Sequence, residues 1–246
     1  MIRPIQLRLV LLVCASATLV FGCAKQAAPA SDSANGAVAR MDTAPPPAGA
    51  SSSVAAANAA IPQVIDSIGT YGEDLYDEVM AGNWAKAKAL TDKLASTEAN
   101  LPQANAASSN DFRALVDSLK TSVGGKHKAA ALEQANQITR IAAEMTRPYT
   151  SATPVEVLLL DYQGRELEIW SAAKNVAKLQ ETTREIRTTW DALRPRIASR
   201  NRPDRITTTD AIVKRVEASK TPAQWKSAAK ALLDEVDELE KVFTNQ

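Results

Sequence analysis

The sequence predicts an all-α fold built from antiparallel helical bundles, on the evidence of composition and apolar periodicity. Apolar residues make up 45% of the 246-residue chain, whereas aromatic residues make up 4% and glycine occurs 9 times. This balance disfavours β sandwiches and barrels, which need aromatic and β-branched side chains, and favours Ala- and Leu-rich helices. From residue 61 onward, apolar residues recur mostly three, four and seven positions apart, as on one helix face. Strict alternation of apolar and polar residues never extends beyond a few positions, so we expect no sheet.

The first element of the chain resembles an export signal. Arg3 and Arg8 form a basic start, and an apolar run from Leu9 to Phe21 follows them. This run is shorter than the ~20 apolar residues that a membrane-spanning helix needs. We therefore expect residues 1–22 to be a signal peptide.

The signal-like segment ends in Val20-Phe21-Gly22-Cys23. This tetrapeptide resembles the lipobox of bacterial lipoproteins, in which an aliphatic, a variable and a small residue precede the cysteine that becomes lipidated. Phe21 is bulkier than is usual in that family. The resemblance implies that Cys23 carries a lipid anchor. Because Ala24 rather than Asp follows, it also implies the outer membrane of a diderm bacterium, facing the periplasm. The alternative is an ordinary secretory signal cleaved elsewhere, with no role for Cys23.

A segment rich in Ala, Ser and Pro, residues 24–60, follows this cysteine. It contains almost no large apolar side chain, so it cannot bury enough surface to offset the entropy of an ordered backbone. We expect residues 23–60 to form a lipid-anchored, disordered linker. Because the other cysteine, Cys14, lies in the signal, the body after residue 60 has no thiol and can form no disulfide.

Apolar stripes with helical spacing cover residues 61–79, 84–94, 112–123, 131–145, 176–193 and 225–243. The clearest stripe alternates spacings of three and four, which is typical of a helix packed in a bundle. Its members are Val176, Leu179, Thr183, Ile186, Trp190 and Leu193. The tryptophans lie on or beside these stripes, so we expect them in helix interfaces rather than in a sugar-stacking platform. They are Trp84, Trp170, Trp190 and Trp225.

Local signals predict where the helices begin and end. Thr153-Pro154-Val155-Glu156 and Thr221-Pro222-Ala223-Gln224 each predict a capping box with Pro at the first helical position. Gly124-Gly125 should separate the third and fourth helices, and Pro195 should end or kink the sixth helix near Arg194. Helices are also expected to stop at three further prolines, Pro102, Pro148 and Pro203.

The body shows signs of an internal duplication. At a constant offset, with no gap from residue 72 to 101, Gly72 aligns with Gly164 and Leu75 aligns with Leu167. We therefore expect two similar four-helix halves, the first half at 61–148 and the second half at 153–246, each closing around its own core. Two alternatives remain open. Ala-rich amphipathic stretches align by composition alone, and eight helices also form a continuous array of antiparallel hairpins.

Charge and motif content exclude several function classes. The chain has 29 Lys and Arg against 28 Asp and Glu, and this net charge of +1 is unlike that of a general nucleic-acid-binding protein. The single histidine, His127, has no potential metal ligand at a suitable spacing. No phosphate-binding loop, dinucleotide-binding turn or covalent-haem motif occurs. We expect neither a cofactor nor a nucleic-acid partner.

The first helix carries an acidic cluster, in a stretch from residue 61 to 85 that contains no basic residue. Glu73 and Asp77, like Asp74 and Glu78, are four positions apart, so their carboxylates share a helix surface. Hard cations prefer several oxygen ligands, so these four residues are weak candidates for a divalent-cation site or for contact with a basic partner. The simpler interpretation is a solvated acidic face.

Basic residues, in contrast to the acidic cluster of the first helix, are concentrated as arginines between residues 184 and 205. Guanidinium groups bind carboxylate and phosphate in a bidentate manner. Four of these arginines are weak candidates for contact with anionic lipid, with cell-wall carboxylates or with the acidic helix of the first half. They are Arg184, Arg187, Arg194 and Arg196. Ordinary ion pairing at the surface or between the halves is the simpler interpretation.

These observations favour a non-enzymatic, lipid-anchored envelope protein that binds or scaffolds through its helix surfaces. The main alternative is a lipoprotein that binds a small ligand or a divalent metal between the two halves. An enzyme acting on cell-wall material is the least favoured class, because no acid–base pair stands out in the sequence. The expected partners are the membrane, through Cys23, and an envelope protein or cell-wall component.

Overall fold

The computed structural model describes residues 59–244, which form α-helices joined by short loops. The helices are α1 (Gln63–Ala81), α2 (Trp84–Thr97), α3 (Ala106–Gly124), α4 (Lys128–Met145), α5 (Val155–Ala173), α6 (Val176–Ala198), α7 (Pro203–Ala218) and α8 (Pro222–Thr244). Two 3-10 turns, Glu98–Asn100 and Gln103–Asn105, lie between α2 and α3. Between residues 59 and 244 there is no strand, only an isolated β-bridge between Ala60 and Thr150. The prediction of an all-α fold is confirmed. The expected signal peptide, Cys23 and most of the expected linker lie outside the described residues.

The helices of each half pack as a closed ring. In the first half α1 packs against α2 and α4, and α3 packs against α2 and α4. In the second half α5 packs against α6 and α8, and α7 packs against α6 and α8. The two rings meet chiefly where α4 packs against α5. The bundle architecture is the one expected from sequence, and its origin by duplication stays a prediction.

Each ring encloses its own apolar core. The core of the first half includes Phe112, Leu75 and Ile138, all without exposed surface. The core of the second half is built around Trp190 and also contains Trp225. The two remaining tryptophans, Trp84 and Trp170, are partly buried and pack against the first and the second core, respectively. All four therefore lie at helix interfaces.

Two glycines allow close helix packing at corresponding places in the two rings. A Cβ at Gly72 of α1 would lie 2.9 Å from Cγ2 of Thr139 on α4. A Cβ at Gly164 of α5 would lie 2.7 Å from Cδ2 of Leu233 on α8. Each glycine thus permits the first helix of its half to approach the last helix more closely than a larger residue would.

One of the two predicted capping boxes is present and the other is not. At the start of α8, the backbone N–H of Gln224 donates to Oγ1 of Thr221 at 3.4 Å, and Oε1 of Gln224 accepts from the Thr221 N–H at 3.1 Å. The prediction at Thr153 is wrong, because α5 begins one residue later than the box requires. Pro154 occupies the N-cap position, where no side chain caps the helix. Glu156 instead forms an ion pair with Arg196 of α6.

The predictions of helix boundaries at glycine and proline are also confirmed only in part. The Gly124-Gly125 pair does separate α3 from α4. Of the two outcomes predicted at Pro195, an end of α6 near Arg194 is wrong, because the helix continues through Pro195 to Ala198, and a kink stays a prediction. A proline this close to the C-terminus displaces only one of the last hydrogen bonds, and the Pro195 carbonyl still accepts from the Ser199 N–H at 3.0 Å. Pro203 begins α7, where its fixed φ suits the first helical position, rather than ending α6.

Candidate functional site

The boundary between the two rings contains polar contacts as well as apolar ones, such as that of Ile169 of α5 with the first core. On α4, the buried Asn136 donates from Nδ2 to the backbone carbonyl of Tyr162 on α5 at 3.0 Å. The neighbouring Gln137 donates from Nε2 to Oη of Tyr162 at 2.8 Å. Helix α5 also carries the buried polar residues Gln163 and Glu166. Buried polar groups are costly unless they are bonded, so this boundary is the first place to search for a function.

Carboxyl groups from three helices surround Arg165 on one side of α5. We call this set the acidic face, and it consists of Glu73 of α1, Asp161 and Glu168 of α5 and Glu240 of α8. Arg165 forms an ion pair with Asp161 at 2.9 Å. Its guanidinium lies over the ring of Tyr76 at 5.3 Å, and Tyr76 donates from Oη to Glu168 at 3.5 Å. The face therefore links α1 of the first half to α5 of the second half.

A single guanidinium does not offset the negative charge of the acidic face. Burial raises the pKa of Asp161, against the opposing effect of Arg165. Desolvation by the surrounding helices and then Asp161 raise the pKa of Glu73 to about 7, although the Glu73 side chain itself is exposed. The pKa values of Glu168 and Glu240 are also raised, in both cases mainly by burial. The acidic face thus holds protons more readily than isolated carboxyl groups do.

The four predicted acidic candidates of α1 do not converge on one point. Glu73 lies near Asp161 and Arg165, and Asp77 contributes charge to the same neighbourhood. Glu78 instead accepts from Nδ2 of Asn83 at 2.6 Å and pairs with Lys86 at 3.0 Å, which lowers its pKa. Asp74 is partly exposed on α1. Across residues 59–244, no group of three or more His, Cys, Asp or Glu side chains is placed to hold a metal ion.

Three of the four predicted arginine candidates are engaged in ion pairs inside the second half. Arg187 contacts Glu217 of α7 through Nε at 2.8 Å and through Nη2 at 2.9 Å. Arg194 pairs with Asp210 at 3.2 Å and Arg196 pairs with Glu156 at 3.1 Å. Their partners lie on α5 and α7, not on the acidic α1. The remaining candidate, Arg184, forms no ion pair with any other described residue.

Arg184 lines a shallow cavity of about 360 Å³, named here the α5–α6 groove. The groove is lined by Gln163 of α5 and by Glu181, Arg184, Glu185, Thr188 and Thr189 of α6. The α6 residues share one face because they recur three and four positions apart. Sequence reasoning missed Gln163, since the burial of a single polar residue depends on how α5 and α6 pack.

The floor of the groove contains an incompletely bonded amide. Gln163 is 5% exposed and donates from Nε2 to Oγ1 of Thr189 at 2.9 Å. Its Oε1 is buried and accepts no hydrogen bond from the described part of the chain. Leaving a buried acceptor unpaired costs about 1–3 kcal/mol, which a suitably placed donor recovers.

The rim of the groove carries both acidic and basic side chains. Glu181 pairs with Lys178 at 2.8 Å. Glu185 forms no ion pair within the described residues. Desolvation and then Glu166 and Glu181 raise its pKa, against the opposing charges of Lys178 and Arg140. A cation near Glu185 would therefore be attracted by several carboxylates, while Arg184 offers a free guanidinium on the same helix face. The arrangement can hold a small polar molecule that carries both signs of charge.

Comparison of the chain with protein-family models, with curated proteins and with solved structures finds no match in any of the three. Among the helices described here, none has the length and apolar character needed to cross a membrane. The assignment of a function therefore depends on the motif at Cys23 and on the geometry of the helical body.

Proposed function

We propose that this chain is a lipid-anchored protein of the bacterial cell envelope whose helical body binds a partner without catalysing a reaction. The observation that carries the proposal is Val20-Phe21-Gly22-Cys23 at the end of a signal-like apolar segment. An Ala-, Ser- and Pro-rich stretch follows this motif, and α1 begins only at Gln63. In a diderm bacterium, Ala24 directs the anchor to the outer membrane, with the body in the periplasm.

The surface of the body supports binding through polar and charged groups. Between residues 59 and 244, the exposed large apolar side chains are Met80 and Val176, which lie on different helices. Single exposed apolar residues of this kind are ordinary on soluble surfaces and do not form an adhesive patch. A partner is therefore recognised by charge and hydrogen bonding, for which the boundary between the rings supplies the groups.

The anchor is tested by metabolic labelling with an alkynyl fatty acid in a bacterial host. The unaltered chain should incorporate the label and fractionate with membranes, whereas Cys23→Ser should do neither. Cys14→Ser is the matched control, because Cys14 lies within the expected signal and its loss should leave labelling intact. Equal labelling or equal membrane association of the Cys23→Ser variant would show the proposal to be wrong.

A second candidate is a small-ligand-binding lipoprotein, and the α5–α6 groove favours it. The groove combines a free guanidinium, a carboxylate without an ion pair and a buried amide. A divalent cation is not proposed as the ligand, since the described carboxylates do not assemble into a metal site.

Crosslinking in intact envelopes tests the broader binding role. Photo-crosslinkable residues at position 184, in the groove, and at position 230, on the far side of the second ring, provide a matched pair. A partner specific to position 184 supports binding through the groove, whereas identical adducts at both positions contradict it.

A further inference from the structure

Arg184 differs from the other arginines of α6 and α7. Arg187, Arg194 and Arg196 each contact a carboxylate on a neighbouring helix. The remaining ones, Arg200, Arg202 and Arg205, contact Phe243, Asp204 and Glu235, respectively, while Arg215 donates to Ser227. Among these arginines, Arg184 alone has no such contact within the described chain, and Arg184 is the one that lines the α5–α6 groove.

The groove also contains a carboxylate and an amide that lack full complements of partners. Glu185 follows Arg184 in sequence and forms no ion pair with a described residue, whereas Glu181 is neutralised by Lys178. Oε1 of Gln163 has no donor, because the amide nitrogen of the same side chain is already committed to Thr189. Two charged side chains without an ion pair, Arg184 and Glu185, therefore line one groove, and the incompletely bonded Gln163 lies beside them, with its Oε1 buried beneath the surface.

We infer that the α5–α6 groove binds a small zwitterion, of the size of an amino acid or a dipeptide. The ligand carboxylate binds the Arg184 guanidinium, which accommodates two carboxylate oxygens. The ligand ammonium group lies beside Glu185, and an amide or ammonium N–H donates to Oε1 of Gln163. Because that oxygen is closed off from solvent in the unliganded groove, this last contact requires a rotation of the Gln163 amide that gives up the hydrogen bond from Nε2 to Thr189, so the two charged contacts carry the binding.

The size and openness of the groove set the expected affinity. Its volume of about 360 Å³ lies near the lower end of the ~300–1,000 Å³ typical of small-molecule sites, which suits a ligand of this size. Charged contacts at an open groove are weakened by water and salt. The dissociation constant is therefore expected in the millimolar to high micromolar range. The inference rests on the proposed binding role and does not depend on the lipid anchor.

The test uses the whole mature chain purified in detergent and three probes of matched size. Glycylglycine carries both charges, N-acetylglycine carries only the carboxylate, and glycinamide carries only the ammonium group. In isothermal titration calorimetry, glycylglycine should bind about tenfold or more tightly than either singly charged probe, since each lost ionic contact weakens binding by roughly that factor. Equal binding of either singly charged probe, or binding of none, would overturn the inference.

Two variants connect the binding to the groove. Arg184→Gln should weaken glycylglycine binding about tenfold or more while leaving helix content unchanged, because this exposed side chain has no partner to lose. The control is Arg187→Gln, which changes the same residue type about one helix turn away. Arg187 does not line the groove, so this variant should bind as the unaltered chain does. If the two variants bind alike, the inference is wrong. Loss of labelling at Cys23 with binding retained would refute only the anchor.

Discussion

The two helical rings share an arrangement but not a core chemistry. In the first ring, the buried polar side chains are all neutral: Thr91, Asn105, Ser122, Asn136, Thr139 and Thr146. In the second ring, two carboxyl groups, those of Glu166 and Glu235, are also buried. The second ring has the larger aromatic core as well, since both fully packed tryptophans lie there. A four-helix ring therefore tolerates either set of buried side chains, and the second ring also leaves Oε1 of Gln163 without a donor.

The buried carboxyl groups of the second ring are bonded from neighbouring helices. Glu166 accepts from Oγ1 of Thr182 at 3.1 Å, and Glu235 accepts from Thr209 at 3.1 Å and from Arg205 at 3.1 Å. Such groups are expensive to desolvate and are tolerated when they are fully bonded. The second ring thus depends on specific polar contacts to a greater degree than the first.

The largest effect should come from emptying the aromatic core of the second ring. Trp190 has no exposed surface and donates from Nε1 to Asp210 at 2.7 Å. Trp190→Ala should lower the free energy of unfolding by about 3–5 kcal/mol, through lost apolar burial and the cavity left behind. Denaturant unfolding followed by circular dichroism measures this change. Trp190→Phe, which keeps an aromatic ring but loses the hydrogen bond, should cost less, and equal losses would contradict a packing role.

The buried carboxyl groups provide a second, smaller test of the difference between the rings. Glu235→Ala removes the acceptor for Thr209 and Arg205, and should destabilise the chain by about 1–3 kcal/mol. Glu238→Ala, one turn further along α8, removes a surface contact with Lys241 and should leave the unfolding midpoint unchanged. If both variants unfold at the same midpoint, the second ring does not depend on its buried carboxylate.

The two corresponding glycines, Gly72 and Gly164, provide a third test of the difference between the rings, with a smaller expected effect. An added methyl at Gly72 meets Cγ2 of Thr139 at 2.9 Å and also the backbone nitrogen of Thr139 at 3.2 Å, so the helices themselves must separate. The nearest atoms to an added methyl at Gly164 all belong to side chains: Cδ2 and Cγ of Leu233 at 2.7 and 2.9 Å and Cδ2 of Leu232 at 3.8 Å. Gly72→Ala should therefore cost about 1–3 kcal/mol. Gly164→Ala should cost less, because the Leu233 side chain can move aside whereas the Thr139 backbone nitrogen cannot do so without a shift of α4.

Gly124→Ala is the control for this pair, since nothing lies within 4 Å of the added methyl. It should be neutral or slightly stabilising, as expected for replacing glycine near the end of a helix. Thermal unfolding of the three variants gives the order directly. A larger loss for Gly164→Ala than for Gly72→Ala would mean that α5 and α8, not α1 and α4, form the tighter helix pair.

Local sequence signals predicted the features that depend on neighbouring residues. The apolar stripes, the break at Gly124-Gly125 and the capping box at Thr221 each involve positions within a few residues of one another. The box at Thr153 failed by one residue, because Pro154 became the N-cap and moved Glu156 out of the position that bonds back. A shift of this size lies beyond what pattern alone resolves.

Features that depend on helix packing could not be predicted. The partner of Arg187 is Glu217, 30 positions away on another helix, and nothing near either residue specifies the other. The same holds for the acidic face, where Tyr76 of α1 contacts Arg165 and Glu168 of α5 although the sequence shows only one acidic stripe on α1. The α5–α6 groove is identified only when Gln163 is seen to be buried while Arg184 remains without a partner.

The smallest expected effect is a pH dependence that arises where the two rings meet. The folded chain raises the pKa of Glu73 from its ordinary value of 4.5 to about 7, chiefly by burial and by Asp161. The folded state therefore holds this proton more tightly than the unfolded state does. Its contribution to stability is complete below about pH 4.5 and is lost as the pH rises through 7. The raised pKa values of Asp161, Glu168 and Glu240 act in the same direction.

The carboxyl groups with lowered pKa values act in a different range. Glu78, Asp204 and Glu217 stabilise the fold above their ordinary pKa values and lose that effect only in more acidic solution. Between pH 5 and 8 the acidic face therefore contributes to the change, together with Glu133, Glu185 and Glu235, whose pKa values are also raised. The unaltered chain should have a higher unfolding midpoint at pH 5 than at pH 8, and Glu73→Gln should reduce this difference. Asp92→Asn, on α2 and away from the acidic face, should retain it. If Glu73→Gln and Asp92→Asn show the same difference between the two pH values, Glu73 is not a source of the pH dependence of stability.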